Sequence, residues 1–232
     1  MKQLHISIFF LFLISLSSNG FTLTGKQKKE IIFDGKTLNG WKKVGGTAVF
    51  NVEVNAIVGR FGFKAGNTFL ITEKQYGDFI MELDVMMDDA LTNSGVQLRS
   101  FYNDIDQKVY GLQYETDATP RGFTGALYDP GRKGWVYPLT LNLNAKSKFE
   151  VGKFNHIRIE SIGNETRTWI NDIPASYVID TTEKKGFIGL QMQEVAKEEL
   201  AGKKVYFKNI TIHTQQLAQK PLAGGLYVVN HL

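Results

Sequence analysis

Three segments of the chain alternate apolar residues with Gln, Glu and Arg, whose planar polar groups bind polyhydroxylated ligands through several hydrogen bonds at once. Successive side chains of a strand point to opposite faces, so each segment would gather its polar residues on one side. The three polar faces carry Gln97 and Arg99, Gln113 and Glu115, and Gln191 and Gln193. An ordinary solvent-facing sheet is richer in Lys, Thr and Ser, so the three faces together predict a shared binding site.

The elements that carry these residues are predicted to be β-strands, because apolar and polar residues alternate along most of the chain. Predicted strands cover residues 47–54, 69–72, 79–86, 95–100, 109–116, 125–128, 156–162, 166–170, 186–193 and 205–213. Gly163-Asn164 is predicted to close one hairpin, and Asn171-Asp172 marks a second turn. One short helix is predicted over residues 193–201. This spacing of strands favours a β-sandwich or a β-barrel.

Composition excludes several classes of protein. The 232 residues are 43% hydrophobic and 22% charged, which is ordinary for a globular domain and excludes disorder and a coiled coil. The net charge of +4 comes from scattered Lys and Arg, so no nucleic-acid partner is expected. Because the chain has no Cys, disulfides, thiolate metal sites and a lipid-modified cysteine are excluded.

The N-terminus has the pattern of a signal peptide. Lys2 precedes an apolar run at residues 6–16, which is too short to span a bilayer comfortably, and Ser18 and Gly20 suit a cleavage site. We therefore expect residues 1–20 to be a signal peptide, residues 21–213 a single domain and residues 214–232 a C-terminal appendage. No stable membrane insertion is expected after cleavage. The apolar end of the appendage suits either an extra edge strand or a contact with a second copy of the chain.

Several motifs, in this order, resemble the 3-keto-disaccharide hydrolase family over about residues 30–213. The motifs are IIFDGKTLNGWK, TNSGVQLRS, YGLQYETD, GFTGALYDPGRKGW, FNHIRIESIGNETRTWINDIP, GFIGLQ and VYFKNITI. The resemblance implies an all-β fold, a concanavalin A-like jelly roll of two antiparallel sheets with the site on the concave face. It also implies hydrolysis or elimination of sugars and glycosides oxidised at C3, in the periplasm or outside the cell.

Such a substrate suits chemistry with a single base, because the carbonyl at C3 acidifies the C2 proton and the resulting enolate can expel the C1 substituent. We expect Glu115 to be the base, Arg99 or Arg132 to stabilise the enolate, and Tyr128 to protonate the leaving group. The expected substrate-binding residues are Gln97, Gln113, Asp117, Trp135, Gln191 and Gln193.

A standard glycosidase mechanism is disfavoured, because it needs two carboxyl groups at a defined separation. Laminarinase-like jelly rolls supply them from Glu-x-Asp-x-x-Glu; here Glu115 and Asp117 begin that pattern, but Pro120 takes the last place. Many relatives carry a His where this chain has Gln193, so a His-centred metal site is not expected. If a divalent cation binds, the oxygens of Glu115, Asp117 or Gln191 favour Ca²⁺.

Two further hypotheses compete with an exported hydrolase or lyase. A non-catalytic carbohydrate-binding module of the same fold is favoured by the missing His, whereas Arg99, Glu115 and Arg132 favour the enzyme. A third is an interaction domain that forms a homo-oligomer through its C-terminal tail. Product from a 3-keto-glucoside alone would support the enzyme, and tight binding without product would support the module.

Overall fold

The chain forms sixteen β-strands and two short 3₁₀ helices in a computed structural model that describes residues 29–222 and 225–231. The expected signal peptide at residues 1–20 lies outside the described residues. In chain order the strands are β1 (Lys29–Ile31), β2 (Trp41–Gly45), β3 (Val49–Glu53), β4 (Ala56–Arg60), β5 (Thr68–Thr72), β6 (Phe79–Met87), β7 (Asn93–Asn103), β8 (Lys108–Asp117), β9 (Leu127–Asp129), β10 (Gly134–Tyr137), β11 (Asn155–Ile162), β12 (Glu165–Ile170), β13 (Ile173–Asp180), β14 (Phe187–Met192), β15 (Lys204–His213) and β16 (Val229–His231). The 3₁₀ helices are Leu139–Leu141 and Glu198–Leu200.

These strands form two sheets. The front sheet has seven strands in the order β10-β9-β8-β7-β14-β5-β2, and every pairing in it is antiparallel. The back sheet has nine described strands, with β16-β13-β12-β11-β6-β15-β4-β3 in order and β1 also paired to β15. Its pairings are antiparallel except that between β13 and β16.

The core lies between the two sheets, because each sheet turns the apolar residues of its alternating strands toward the other. The front sheet contributes Leu98, Tyr114 and Leu190, and the back sheet contributes Ile157 and Phe207, all 2% exposed or less. The polar members of the same strands are therefore left on the outer faces. This arrangement confirms the expected all-β, two-sheet sandwich of the jelly-roll class.

All ten predicted strands overlap strands of the structure, and both predicted turns join the strands on either side of them. Gly163 has a positive φ of 58°, and Asn171 and Asp172 have φ of 48° and 64°, as tight hairpin turns require. The predicted helix over residues 193–201 is wrong apart from one 3₁₀ turn. Val195 instead pairs with Phe63 in an isolated bridge, which holds this part of the chain extended.

The end of the chain adds an edge strand, which was one of the two roles expected for the appendage. β16 pairs with β13 in parallel, with Val229 opposite Val178. Before it, the backbone N–H of Lys220 donates to Glu160 Oε1 at 2.8 Å, and the Lys220 ammonium reaches Asp172 at 2.7 Å. In the described part of the chain, no helix has the length and apolarity needed to cross a membrane.

Candidate functional site

A cleft of about 740 Å³ lies over the outer face of the front sheet. Its floor includes Gln113 and Glu115 from β8 and Gln191 from β14. One wall is formed by Tyr128 and Trp135, and the rim includes the tip of the β7–β8 hairpin at residues 106–109. Gln193, just beyond β14, also lines the cleft. Of the three strand faces that the sequence predicted to share a site, two contribute residues to this cleft, and the face of Gln97 and Arg99 does not.

Between the strands of Glu115 and Gln191 lies Gly95 of β7, which pairs with Glu115 on β8 and with Gln191 on β14. The amide of Gln113 lies over this glycine, and a Cβ at position 95 would come within 2.7 Å of the Gln113 Cδ. Glycine is therefore required here to make room for a neighbouring side chain, since its backbone φ is not in the left-handed region. Glu115 and Gln191 stand on opposite sides of this central strand.

Glu115 is a buried carboxylate surrounded by donors. Oε1 accepts hydrogen bonds from Asn93 Nδ2 and, at 2.8 Å, from Arg121 Nη2, while Oε2 accepts one from Gln113 Nε2 at 2.8 Å. Burial raises the pKa of Glu115 above its usual value, although the hydrogen bonds from Asn93 and Gln113 and the charge of Arg121 oppose the shift. A carboxylate has about four acceptor positions, so Oε2 still has one lone pair to offer a ligand.

A chain of buried amides supports Glu115 from below. Ser100 Oγ donates to Gln97 Oε1 at 2.9 Å, and Gln97 Nε2 donates to Gln113 Oε1 at 2.6 Å. Gln113 then donates to Glu115, so the oxygens of both glutamines and the donor nitrogens between them are already occupied. Gln97 is fully buried and does not line the cleft. Both glutamines therefore position Glu115. Gln97 has this role in place of the expected contact with substrate, whereas Gln113 also lines the cleft.

Arg121 is the main site residue that the sequence analysis missed. It lies in the loop after β8 and lines the cleft, where its Nη2 reaches Glu115 and its Nε donates to Asp117 Oδ2 at 2.7 Å. Its guanidinium carbon lies 4.9 Å from the centre of the Trp135 ring. Arg121 follows Asp117 by four residues, and this spacing of opposite charges was the only available signal. In a loop, such a spacing predicts a contact only if the loop folds back over the strand.

The aromatic wall of the cleft is a small cluster of rings. Trp135 packs against Tyr128 at a centroid distance of 5.0 Å and against Phe123 at 5.2 Å. Trp135 is 36% exposed, so part of its surface is open to a ligand. An aromatic face beside hydrogen-bonding groups suits the apolar face and the hydroxyl groups of a sugar.

Arg99 does not lie in the cleft, which corrects the prediction that it shares a face with Gln97. The pairing of β7 with β8 shifts register between Leu98 and Phe101, and Arg99 sits in this bulge with a φ of 46°. The bulge redirects its side chain, which donates to the carbonyls of Gly77 and Gly163 at 2.8 Å each. An ion pair of 2.9 Å with Asp78 completes this structural role.

Arg132 and Asp117 are also occupied elsewhere. Arg132 pairs with Asp129 at 2.9 Å and with Glu183 at 2.7 Å, and it does not line the cleft. Asp117 is 1% exposed and accepts hydrogen bonds from the backbone N–H of Phe123 and the side chain of Arg121. Asp117 thus holds the loop that carries Arg121, so its expected contact with substrate is replaced by a positioning role.

The family model of the 3-keto-alpha-glucoside-1,2-lyase-like domain matches residues 28–213. The chain belongs to this family. The match includes the whole front sheet, all of the back sheet except β16, and every residue of the cleft floor and aromatic wall. No protein with a curated description matches the sequence.

Solved structures share the fold of this family member at low sequence identity. A candidate glycosyl hydrolase from Parabacteroides distasonis is 18% identical, with a TM-score of 0.60 over 81% of this chain and 94% of its own. The carbohydrate-binding module CBM66 from Bacillus subtilis is 17% identical, with a TM-score of 0.54 over 75% and 95%. A Bacillus subtilis protein of unknown function with a galectin-like fold is 11% identical, with a TM-score of 0.59 over 81% and 94%.

Gln193 stands where the sequence analysis expected many family members to carry His, and this position does line the cleft. Within the described ranges, no group of three or more His, Asp or Glu residues is arranged to hold a metal ion. Oε1 of Glu115 is already paired with the positively charged guanidinium of Arg121.

Proposed function

We propose that this protein cleaves glycosides or disaccharides oxidised at C3, with Glu115 as the base that removes the C2 proton. The observation that carries the proposal is one buried carboxylate at the floor of a sugar-sized cleft. Its raised pKa strengthens it as a base, and the remaining lone pair on Oε2 provides an acceptor for the proton. Family membership supports the substrate class, and this reaction requires no second carboxylate.

Arg121 is the proposed stabiliser of the enolate, in place of Arg99 and Arg132. When the C2 proton moves to Glu115, negative charge develops on the C3 oxygen of the sugar. A guanidinium within 2.8 Å of the base is close to that charge, and its stacking on Trp135 holds its orientation. The carboxylate of Asp117 accepts the hydrogen bond from Arg121 Nε, so the terminal N–H groups of Arg121 that do not bind Glu115 are available to substrate.

Turnover then proceeds by elimination. The electron pair of the C2–H bond forms the enolate, the enolate re-forms the C3 carbonyl, and a C1–C2 double bond appears as the C1–O1 bond breaks. Addition of water to this double bond gives the hydrolysed sugar. Trp135 and Tyr128 bind the sugar or its aglycone along the wall of the cleft.

The replacement Glu115→Gln tests the base directly. It keeps the size of the side chain and should lower kcat for a 3-keto-glucoside by at least about a thousandfold, because no other group then removes the C2 proton of the sugar. The measurement is product formation from the 3-keto-glucoside and from the unoxidised glucoside, with circular dichroism as the control for folding. Near-normal turnover by this variant would remove Glu115 from the mechanism.

A carbohydrate-binding module is the second candidate, because the exposed ring of Trp135 and the neutralising pair between Glu115 and Arg121 also suit binding without catalysis. Calorimetry with both glucosides separates the two. Binding of either sugar with no product after long incubation supports the module, whereas product from the 3-keto-glucoside alone supports the enzyme.

A further inference from the structure

The elimination proposed above needs a hydrogen-bond donor at the glycosidic oxygen, and the cleft offers one on the side opposite the base. Gln191 lines the cleft on β14, and its side chain makes no hydrogen bond to the residues that the structure describes. Its Oε1 is buried without a partner, so the Nε2 end of the amide is the part that faces the cleft. Gln113, by contrast, has its oxygen and one N–H occupied.

The register sets the distance between Gln191 and the base. Glu115, Gly95 and Gln191 lie side by side on three neighbouring strands. Adjacent strands are about 4.8 Å apart, so the backbones of Glu115 and Gln191 are about 10 Å apart across the glycine. Side chains of a strand stand roughly perpendicular to the sheet, so the two polar groups are separated by about the same distance. Two polar contacts of about 3 Å each then leave about 4 Å of this separation for the ligand itself. One pyranose ring, standing on the Gln113 amide, fits this gap.

The chemistry orients the ring in that gap. A proton next to a carbonyl is removed most easily when its C–H bond is perpendicular to the carbonyl plane, so Glu115 must approach C2 from one face of the ring. In a glucoside the C2 proton is axial on one face of the ring. The one axial oxygen on the opposite face is the glycosidic oxygen of an α-linked substrate. Gln191 faces that side.

We propose that Gln191 Nε2 donates a hydrogen bond to the departing glycosidic oxygen, anti to the proton that Glu115 removes. This inference rests on the proposed function and assigns Gln191 a role that the sequence analysis gave to Tyr128. Tyr128 is opposite Gln113 on β9, on the same side of Gly95 as Glu115. The C1–O1 electron pair stays on the oxygen, the amide stabilises its charge, and water supplies the final proton while protonated Glu115 returns its own to solvent.

The test compares Gln191→Met with a matched control outside the cleft, Gln75→Met, and with Tyr128→Phe, which removes the alternative donor, on 3-keto-α-glucosides with different leaving groups. A nitrophenolate leaves readily without help, whereas methoxide depends on a donor. Gln191→Met should lose about 100-fold in kcat/KM on the methyl glycoside and less than about tenfold on the nitrophenyl glycoside. Gln75→Met should leave turnover of both substrates near the wild-type value, because Gln75 is exposed and does not line the cleft.

Deuterium exchange at C2 in heavy water gives an independent readout, since it needs Glu115 but no departure of O1. Gln191→Met should keep the exchange and lose elimination, which a general loss of binding or folding would not produce. Equal losses on both glycosides, or a leaving-group dependence in Tyr128→Phe instead, would overturn the role of Gln191. If the wild-type protein neither exchanges nor eliminates, the proposed function itself fails, and the two failures are thereby distinguished.

Discussion

At the scale of single residues, the ionisation of Glu115 should set the pH dependence. Burial raises its pKa, and the base must be ionised to act, so kcat/KM should fall as the pH drops through a value above that of an ordinary glutamate. Arg121→Gln removes a positive charge that favours the ionised form, so this acid limb should move to higher pH. The measurement is the pH profile of kcat/KM for both proteins on a 3-keto-glucoside.

The opposite shift, or an unchanged limb in Arg121→Gln, would show that the observed titration does not belong to Glu115. A suitable control is Arg132→Gln, because Arg132 pairs with Asp129 and Glu183 outside the cleft and should leave the limb in place.

The face of the sheet on which a side chain lies could be predicted where the strand period of two holds without interruption. Gln113 and Glu115 follow it on β8, and Gln191 follows it on β14, so their shared cleft was readable from the sequence. Arg121 was not, because it reaches Glu115 from a loop whose return over the strand depends on the buried Asp117. The amide chain through Gln97 could not be predicted either, since a period of two gives the face of a side chain and not its hydrogen-bond partners.

At the scale of the elements, the bulge in β7 makes Arg99 a structural residue. Arg99 is 5% exposed and links β7 to the backbone at Gly77 and Gly163. Arg99→Ala removes a buried guanidinium, its charge-assisted hydrogen bonds to the part-buried carbonyls of Gly77 and Gly163 and its ion pair with Asp78. It should therefore lower the free energy of unfolding by about 3 kcal/mol, measured by urea denaturation. Turnover per folded molecule should stay near that of the wild type. A large drop in kcat at unchanged stability would instead place Arg99 in catalysis.

Three of the strands that the sequence did not predict, β2, β4 and β13, lack a clear alternation of apolar and polar residues. β2 contains adjacent lysines, β4 is a nearly continuous apolar run, and β13 has Pro174 as its second residue. Each lies next to a stronger partner, and the pairing with that partner stabilises its extended form. The predicted helix is the opposite case, an element that the sequence favours and the structure lacks. The apolar residues of 193–201 have helical spacing, but the bridge between Val195 and Phe63 prevents the helix.

At the scale of the whole molecule, the site and the C-terminal edge strand belong to different sheets. Removing residues 214–232 deletes β16 and exposes the edge of β13, which should cost about 1–2 kcal/mol and lower Tm by several degrees. Because the cleft belongs to the front sheet, kcat/KM on a 3-keto-glucoside should be unchanged. Calorimetry and kinetics on the truncated protein check both statements, and a lost activity at intact fold would show that the tail reaches the site.

Export is proposed from the N-terminal sequence. Expression in a bacterium with a functional secretion pathway should yield a periplasmic or secreted protein whose N-terminus begins near residue 21. Terminal sequencing of the purified protein tests this, with a variant that carries charged residues in the apolar run at residues 6–16 as the control. Full-length protein retained in the cytoplasm would overturn the assignment of residues 1–20 as a signal peptide.

The buried line of amides from Ser100 to Glu115 also decides where a captured proton can travel. Each amide in it points its N–H toward the carboxylate, and amides do not relay protons as water or imidazole do. In the proposed mechanism, Glu115 therefore returns its proton through the mouth of the cleft, on the side where the sugar would bind. Label from C2 should consequently return in part to the same sugar molecule before it escapes, instead of being diluted at once by the surrounding water.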